Sequence, residues 1–377
     1  MSSKIKLLFC GDFLSQHPEE IIFSKELLSF FSKSNIRCIN FEAPIENKGM
    51  PINKGSICVL SQSKDSPAYL ESIGFNVITM SNNHIYDYGE CGLIDTQNAF
   101  KSALTVGVGT WDTAYQVKVV ELGNIKIGFL SLSHCEFGVL NDVWDKTLRI
   151  GCAGISYPKI NSIIINTKKE VDYIFISVHA GVEYLNVPLP EWRNRYRELI
   201  DCGADAVIAS HPHVPQGWED YKGRPIFYSL GNFYLDMASS KPYWNNSLIV
   251  LLEIDTLTNT ISYQVECTVR KDNRLEISNS KEMKNHVQYL YDILQEDDAY
   301  IKELECSLMK LYKDYKYMIL SGLNLDDSSI SPKNILKIIY NSLHRTPNFP
   351  VFLNLIRCES HLWALRRIIR MEQRDLI

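Results

Sequence analysis

Seven times in its first 230 residues the chain enters a short, near-continuous apolar stretch that ends on a polar residue. The runs are IKLLFC (5–10), IRCINF (36–41), NVITM (76–80), IKIGFLSL (125–132), DYIFISV (172–178), DAVIAS (205–210) and PIFYSL (225–230). A strand with one covered face alternates apolar and polar residues, whereas a strand covered on both faces reads as an unbroken apolar run. These runs, rich in β-branched side chains, predict an α/β fold with sheets buried on both sides. LIDTQNAFKSAL (93–104) and PEWRNRYRELIDCG (190–203) read as intervening helices, the second stopped by Gly203.

The residues at the exits of these strands carry the chemistry. In order they are Gly11-Asp12, Glu42, Asn82-Asn83-His84, His134, His179, His211-Pro212-His213 and Gly231-Asn232. Ligand sites of α/β sheets form at the carboxyl ends of strands. Carboxylate, amide oxygen and imidazole together suit divalent manganese, zinc or iron. A bridging carboxylate can hold two such ions about 3.5–4 Å apart, clamping both the attacking and the leaving oxygen in phosphoryl transfer. Asp12 and Glu42 are the candidate anionic ligands, Asn83 the amide, and His179, His211 and His213 the imidazoles.

Taken singly, each element is weak. GD is often a turn, NFEAP can be a loop with a surface acid, and asparagines in SNNH tolerate left-handed backbone. HPH alone divides evenly between ligands and an ordinary loop. His134 in LSLSH reads as a structural strand-end residue and stays outside the ligand set. The set as a whole would require several independent coincidences at one sheet edge, so a metal centre is the expectation.

Composition narrows the partners. The formal net charge of −5 over 377 residues argues against nucleic acid, which demands a basic face. A phosphate-bearing small molecule stays open, because bound cations supply the positive charge that side chains lack. Ten cysteines without a CxxC pair read as reduced thiols, several in apolar runs. MSSKIKLLFCGDF is too short in its apolar part for a signal peptide, and no stretch reaches eighteen apolar residues. The expected location is cytoplasmic.

NNSLIVLLEID (245–255) and TISYQVECTVRK (260–271) read as a hairpin joined at Thr258-Asn259. Beyond Leu275 the texture becomes helical, with SGLNLDDSSISPKN (321–334) as a loop and HLWALRRIIRMEQR (361–374) as a basic amphipathic helix. That last helix reads first as a packing element. Weak docking to a membrane or a partner is its sharper alternative.

GD (11–12), NFEAPI (40–45), SNNHIYDYG (81–89), SVHAGVEY (177–184), GADAVIASHPHVPQG (203–217) and IFYSLGNFYLD (226–236) together resemble the CapA family. These are poly-γ-glutamate and capsule biosynthesis proteins of the calcineurin-like metallophosphoesterase superfamily. The resemblance covers roughly residues 4–250 and implies a four-layer α/β/β/α metallophosphoesterase-like sandwich; that domain is expected over 1–273, and the additional helical C-terminal region over 274–377 is not explained by the resemblance. It implies two divalent metal ions (Mn, Zn or Fe): Asp12 and His213 on one, Asn83, His179 and His211 on the other, Glu42 bridging. It makes His84 the general acid toward the leaving oxygen, with Asp87 orienting it or capping the next turn. Attack on phosphorus would come in line from a water whose pKa coordination lowers. Glu183, Tyr184 and Asn232 become substrate contacts or supports for the ligands.

The match departs from the wider superfamily at two positions. Leu14 stands where a histidine follows the first aspartate by two residues, and Glu42 stands where the bridge is usually aspartate. CapA proteins of polymer export often carry an N-terminal membrane anchor, and none is expected here. The expectation is a metal-dependent hydrolase, most plausibly a phosphoesterase, acting on a phosphorylated or anionic precursor of a surface polymer. A non-catalytic scaffold in a polymer-assembly complex and amide-bond chemistry on poly-γ-glutamate are the alternatives.

Overall fold

The computed structural model describes residues 4–47, 49–55, 57–140, 147–322 and 349–375. Two sheets stack face to face. In the first, strands Ile22–Phe23, Arg274–Ile277, Thr260–Lys271, Asn246–Asp255, Lys4–Leu14, Ile36–Phe41, Val77–Thr79 and Leu104–Val106 neighbour one another in that order, and Asn232–Leu235 pairs with Lys4–Leu14. In the second the order is Trp218–Tyr221, Arg224–Phe227, Ala206–Ser210, Tyr173–His179, Ile125–Ser133 and Lys118–Leu122. The strands that end on candidate ligands run parallel within each sheet, so their carboxyl ends emerge on one edge.

The layers follow from which faces are apolar. Between the sheets lie Phe9, Phe129, Phe175, Ile208 and Val250, with Phe9 and Phe175 rings 5.8 Å apart. Leu27, Phe30, Phe31, Leu70 and Leu93, from helices Lys25–Phe31, Ser66–Ser72 and Gly89–Ala99, cover the outer face of the first sheet. Ile160, Ile164, Trp192, Tyr196 and Leu199, from helices Ile160–Thr167 and Pro190–Asp201, cover the second. This is the expected four-layer α/β/β/α arrangement. Burying a large apolar side chain is worth about 1.5–3 kcal/mol, so each layer contributes heavily.

The helices after residue 274 are Lys281–Ile293, Asp297–Gly322, Phe349–Arg357 and Glu359–Asp375. Leu304, Leu308, Leu311, Tyr315, Leu355, Ala364 and Ile368 join Trp192 and Tyr196 in one apolar cluster. From residue 323 on, the stretch expected as a loop (321–334) lies outside the described residues, and the helix Asp297–Gly322 includes its first two. Among the described residues no helix is long and apolar enough to cross a membrane.

Two local readings change. The helix expected over 93–104 runs from Gly89 to Ala99. Phe100 leaves it with extended backbone and packs edge-on against Phe41, at 5.1 Å between rings. Gly11-Asp12, expected to end the first strand, lies within it. The strand continues to Leu14 through a register shift at Asp12. The hairpin forms as expected, with Asn259 in left-handed backbone at its turn.

Candidate metal centre

The irregularity in the first strand is what aims Asp12. Its N–H donates to Gly231 O at 3.0 Å, and a Cβ on Gly11 would stand 1.9 Å from that same oxygen. Only glycine permits this approach, so Gly11 lets the strand shift and deliver the Asp12 carboxylate to the sheet edge. Glu42 leaves the neighbouring strand one residue after Phe41. Asn40 ties the two acids together: its Nδ2 lies 2.7 Å from Asp12 Oδ1 and 2.7 Å from Glu42 Oε2.

His179, the last residue of its strand, is the hub. Its Nε2 lies 3.0 Å from Asn83 Oδ1, 3.1 Å from His211 Nδ1 and 3.4 Å from Glu42 Oε1. Four donors on a tetrahedral ion with bonds of 2.0–2.1 Å are separated by edges of roughly 3.3 Å. Glu42 Oε1 and His211 Nε2 are buried without a hydrogen-bond partner. Lone-pair atoms gathered at this spacing, with a buried acceptor left orphaned, fit a cation. Asp12 and His213 form the looser end of the cluster, with His213 Nδ1 3.6 Å from Asp12 Oδ2.

The HPH loop sends its histidines to different ends. Both have positive φ, 99° at His211 and 60° at His213. Non-glycine residues held there cost of order 1–3 kcal/mol each and persist where surrounding structure enforces them. His211 faces His179, ring to ring at 4.8 Å. His213 packs on Trp244 at 5.3 Å and donates from Nδ1 to Asn232 Oδ1 at 2.9 Å. Asn232 therefore holds a ligand in place. Leu14 is buried with Ala43, Leu235 and Trp244 in an apolar plug beside the first strand's end.

His84 and Asp87 lie side by side: His84 Nδ1 donates to Asp87 Oδ2 at 2.7 Å, turning Nε2 outward. Asn82 fixes the loop, accepting the His84 and Ile85 N–H groups and donating to Phe41 O. Sequence reading missed Lys54. Its buried ammonium donates to Asp87 Oδ1 at 2.5 Å and to Asn83 O at 3.0 Å, joining the acid's partner to the amide ligand's backbone. A lysine in a loop ordinarily reads as exposed, so only its burial against Asp87 reveals it.

Glu42, Asn83, His84 and His213 line a cavity of about 370 Å³. Glu183 and Tyr184 stand on its wall, and Lys241 Nζ lies 4.8 Å above the Tyr184 ring. Leu311, Asp314, Tyr315 and Met318, all from the helix Asp297–Gly322, roof it, and His361 and Glu136 also face in. The C-terminal helices therefore complete the pocket, a role absent from the sequence reading. His134, set aside as structural, is buried with its ring 4.4 Å from that of His211.

The charges are unbalanced in a telling way. Burial pushes the Asp12 carboxyl up, and the Glu42 charge adds to it. Burial pushes Glu42 the same way, but the charge of His179 overrules it and pulls the carboxyl down to about 2. Burial would lower His179, yet Glu42 and then Asp12 hold it above its ordinary value. His211 is pushed well below, by burial and then by His134. Among the described residues Asp12, Glu42 and Glu136 have only histidines within ion-pair range, no lysine or arginine. Buried carboxylates without a fixed cation are costly, and divalent ions remove that cost.

Residues 6–237 match the family model described as bacterial capsule synthesis protein PGA_cap. The chain is 28% identical over 251 residues to the capsule biosynthesis protein CapA of Bacillus anthracis, covering 63% of this chain and 61% of that one. It is 30% identical over 215 residues to the PGA biosynthesis protein CapA of Bacillus subtilis (strain 168), covering 55% of each. These matches span less than two thirds of either relative's length. Among solved structures, a 5′-nucleotidase from Candida albicans aligns over 83% of this chain and 58% of its own, at 11% identity and a TM-score of 0.40.

Proposed function

Because the chain belongs to the bacterial capsule synthesis family PGA_cap, we propose that it is a metal-dependent phosphoesterase acting on a phosphorylated, anionic precursor of a capsule or poly-γ-glutamate-type polymer. The observation that carries this is the convergence of Asp12, Glu42, Asn83, His179, His211 and His213 beneath a cavity whose rim presents His84. Among the described residues that line this cavity none is lysine or arginine, while Glu42, Glu136, Glu183 and Asp314 are acidic. An anionic substrate enters such a pocket only when bound cations reverse its charge.

Two divalent ions, when bound, supply an activated water and a Lewis acid for the phosphoryl oxygens. His179, Asn83 and His211 would hold one ion, Asp12 and His213 the other, and Glu42 both. Asn40 keeps the two carboxylates in register from behind. His84 protonates the leaving oxygen from Nε2, and Asp87 stabilises the imidazolium that doing so requires. Lys54 fixes Asp87. Tyr184 and Trp244 give the substrate an apolar wall, with their rings 6.1 Å apart.

The test is turnover of generic phosphomonoesters and diesters by the purified protein loaded with Mn²⁺, Zn²⁺ or Fe²⁺, alongside elemental analysis. Metal-dependent phosphate release that is lost in His179→Ala is expected. Stoichiometric metal without any turnover would move the assignment to a non-catalytic subunit that binds an anionic chain.

A further inference from the structure

A second group of donors stands beside the proposed centre and shares none of its ligands. Glu136 lies just beyond the Ile125–Ser133 strand, Cys358 precedes the last helix, and His361 lies in that helix's first turn. Their ligand atoms all lie within 4.8 Å of one another. His361 Nε2 is 3.5 Å from Glu136 Oε1. That separation is long for a hydrogen bond and close to the roughly 3.3 Å between two donors sharing one zinc ion.

The partners of these groups set their roles. His361 Nδ1 lies 3.0 Å from Tyr315 Oη. Tyr315 thus holds one ring nitrogen and leaves Nε2 facing the Glu136 carboxylate, and a cation bound between the two would fix the tautomer with Nδ1–H donating to Tyr315. His134 differs. Ser360 Oγ already accepts from Gly181 N–H at 3.2 Å and from Trp192 Nε1–H at 2.9 Å. Its own proton therefore goes to His134 Nδ1, 2.8 Å away. That leaves an N–H on His134 Nε2, which is buried, has no hydrogen-bond partner and sits 3.5 Å from Glu136 Oε1. His134 Nδ1 also lies 3.5 Å from Cys358 Sγ, so this imidazole, held by Ser360, backs the cluster.

We infer that Glu136, Cys358 and His361 form a third cation site, separate from the Asp12–His213 centre and suited to a thiophilic divalent ion such as zinc. Thiolate, imidazole and carboxylate together select zinc over magnesium or calcium. Three protein ligands leave the fourth position open, and Glu136 and His361 face the cavity, so that position points at the substrate space. Two of the three ligands belong to the C-terminal segment, so this ion fastens those helices to the strand edge.

Cobalt titration of the whole chain tests the site, because thiolate coordination adds a near-ultraviolet charge-transfer band that carboxylates, amides and imidazoles cannot give. The band is expected in the wild type and in His179→Ala, and lost in Cys358→Ser. One equivalent of zinc is expected to disappear from Cys358→Ser and also from the less buried variant His361→Gln, each with an unchanged far-ultraviolet circular dichroism spectrum. The inference is overturned if visible cobalt bands form without the charge-transfer band, if that band survives Cys358→Ser, or if His361→Gln keeps every zinc equivalent. The first of these results would leave the Asp12–His213 centre standing; absence of any cobalt absorption would remove both.

Discussion

Lys54 Nζ sits 2.5 Å from Asp87 Oδ1, with both side chains closed off from solvent. The pair neutralises a carboxylate whose other oxygen receives His84 Nδ1–H and the Leu60 N–H. Removing one partner of a buried ion pair costs about 3–5 kcal/mol because the other charge is left uncompensated. Lys54→Met should therefore lose about that much stability in urea denaturation and lower kcat as His84 loses its fixed support. A loss under about 1 kcal/mol would contradict the described packing.

His84→Asn should separate acid catalysis from metal binding. Loss of a positioned general acid lowers kcat by roughly 10²–10⁴-fold. The deficit should be large for alkyl phosphate esters, whose leaving oxygen needs a proton, and small for nitrophenyl esters, whose leaving group does not. Metal content should stay at the wild-type level. Equal deficits for both ester classes would remove His84 from the acid role.

His134 should make the metal-free protein acid-sensitive. Burial pushes its imidazole down to about 3, against the opposing charge of Glu136 and with His179, His361 and His211 close by. The unfolded chain takes up this proton near pH 6.5 and the folded chain refuses it until about pH 3. Stability is thus present above pH 6.5 and lost as pH falls toward 3. In chelator, His134→Gln should reduce the stability lost between about pH 7 and about pH 4 by roughly 3 kcal/mol, read from urea midpoints at the two pH values. Parallel pH profiles for the two proteins would show that His134 titrates as freely in the folded state as in the unfolded one.

Gly11→Ala tests whether the strand shift aims Asp12. The added methyl meets Gly231 O at a distance no packed atom tolerates, so the two strands must part. Overpacking of this kind costs about 1–3 kcal/mol. The larger effect should fall on metal retention, since Asp12 and Asn232 are register partners across this pairing and Asn232 holds His213. Full metal content in the variant would mean that Asp12 finds its place without the close approach.

Much of the sheet edge was legible because strands covered on both faces leave an unmistakable apolar run. When such strands are parallel, the polar residues at their exits must lie at one edge. The six proposed ligands came together for that reason. Glu136, Cys358 and His361 were not legible: the helix that brings two of them back lies more than 200 residues away, and its amphipathic pattern states only that one face is buried. Lys54 was hidden by its company, since a lysine in a polar loop is ordinarily solvated and the acid that buries it lies in a different motif. Phe100 shows a third limit, because the end of its helix is decided by a ring on another strand.

The cavity's floor and its roof come from distant parts of the chain: Glu42, Asn83 and His84 below, Leu311, Asp314, Tyr315 and Met318 above. A ribosome therefore finishes the ligand-bearing edge long before it makes the cover. During that interval the pocket can be filled from the side that later closes, and metal can enter a site still open to water. Enclosure comes late in the protein's synthesis, so a chain cut short within the Asp297–Gly322 helix would keep all six residues of the Asp12–His213 centre and lose both the cover and the Cys358 and His361 donors.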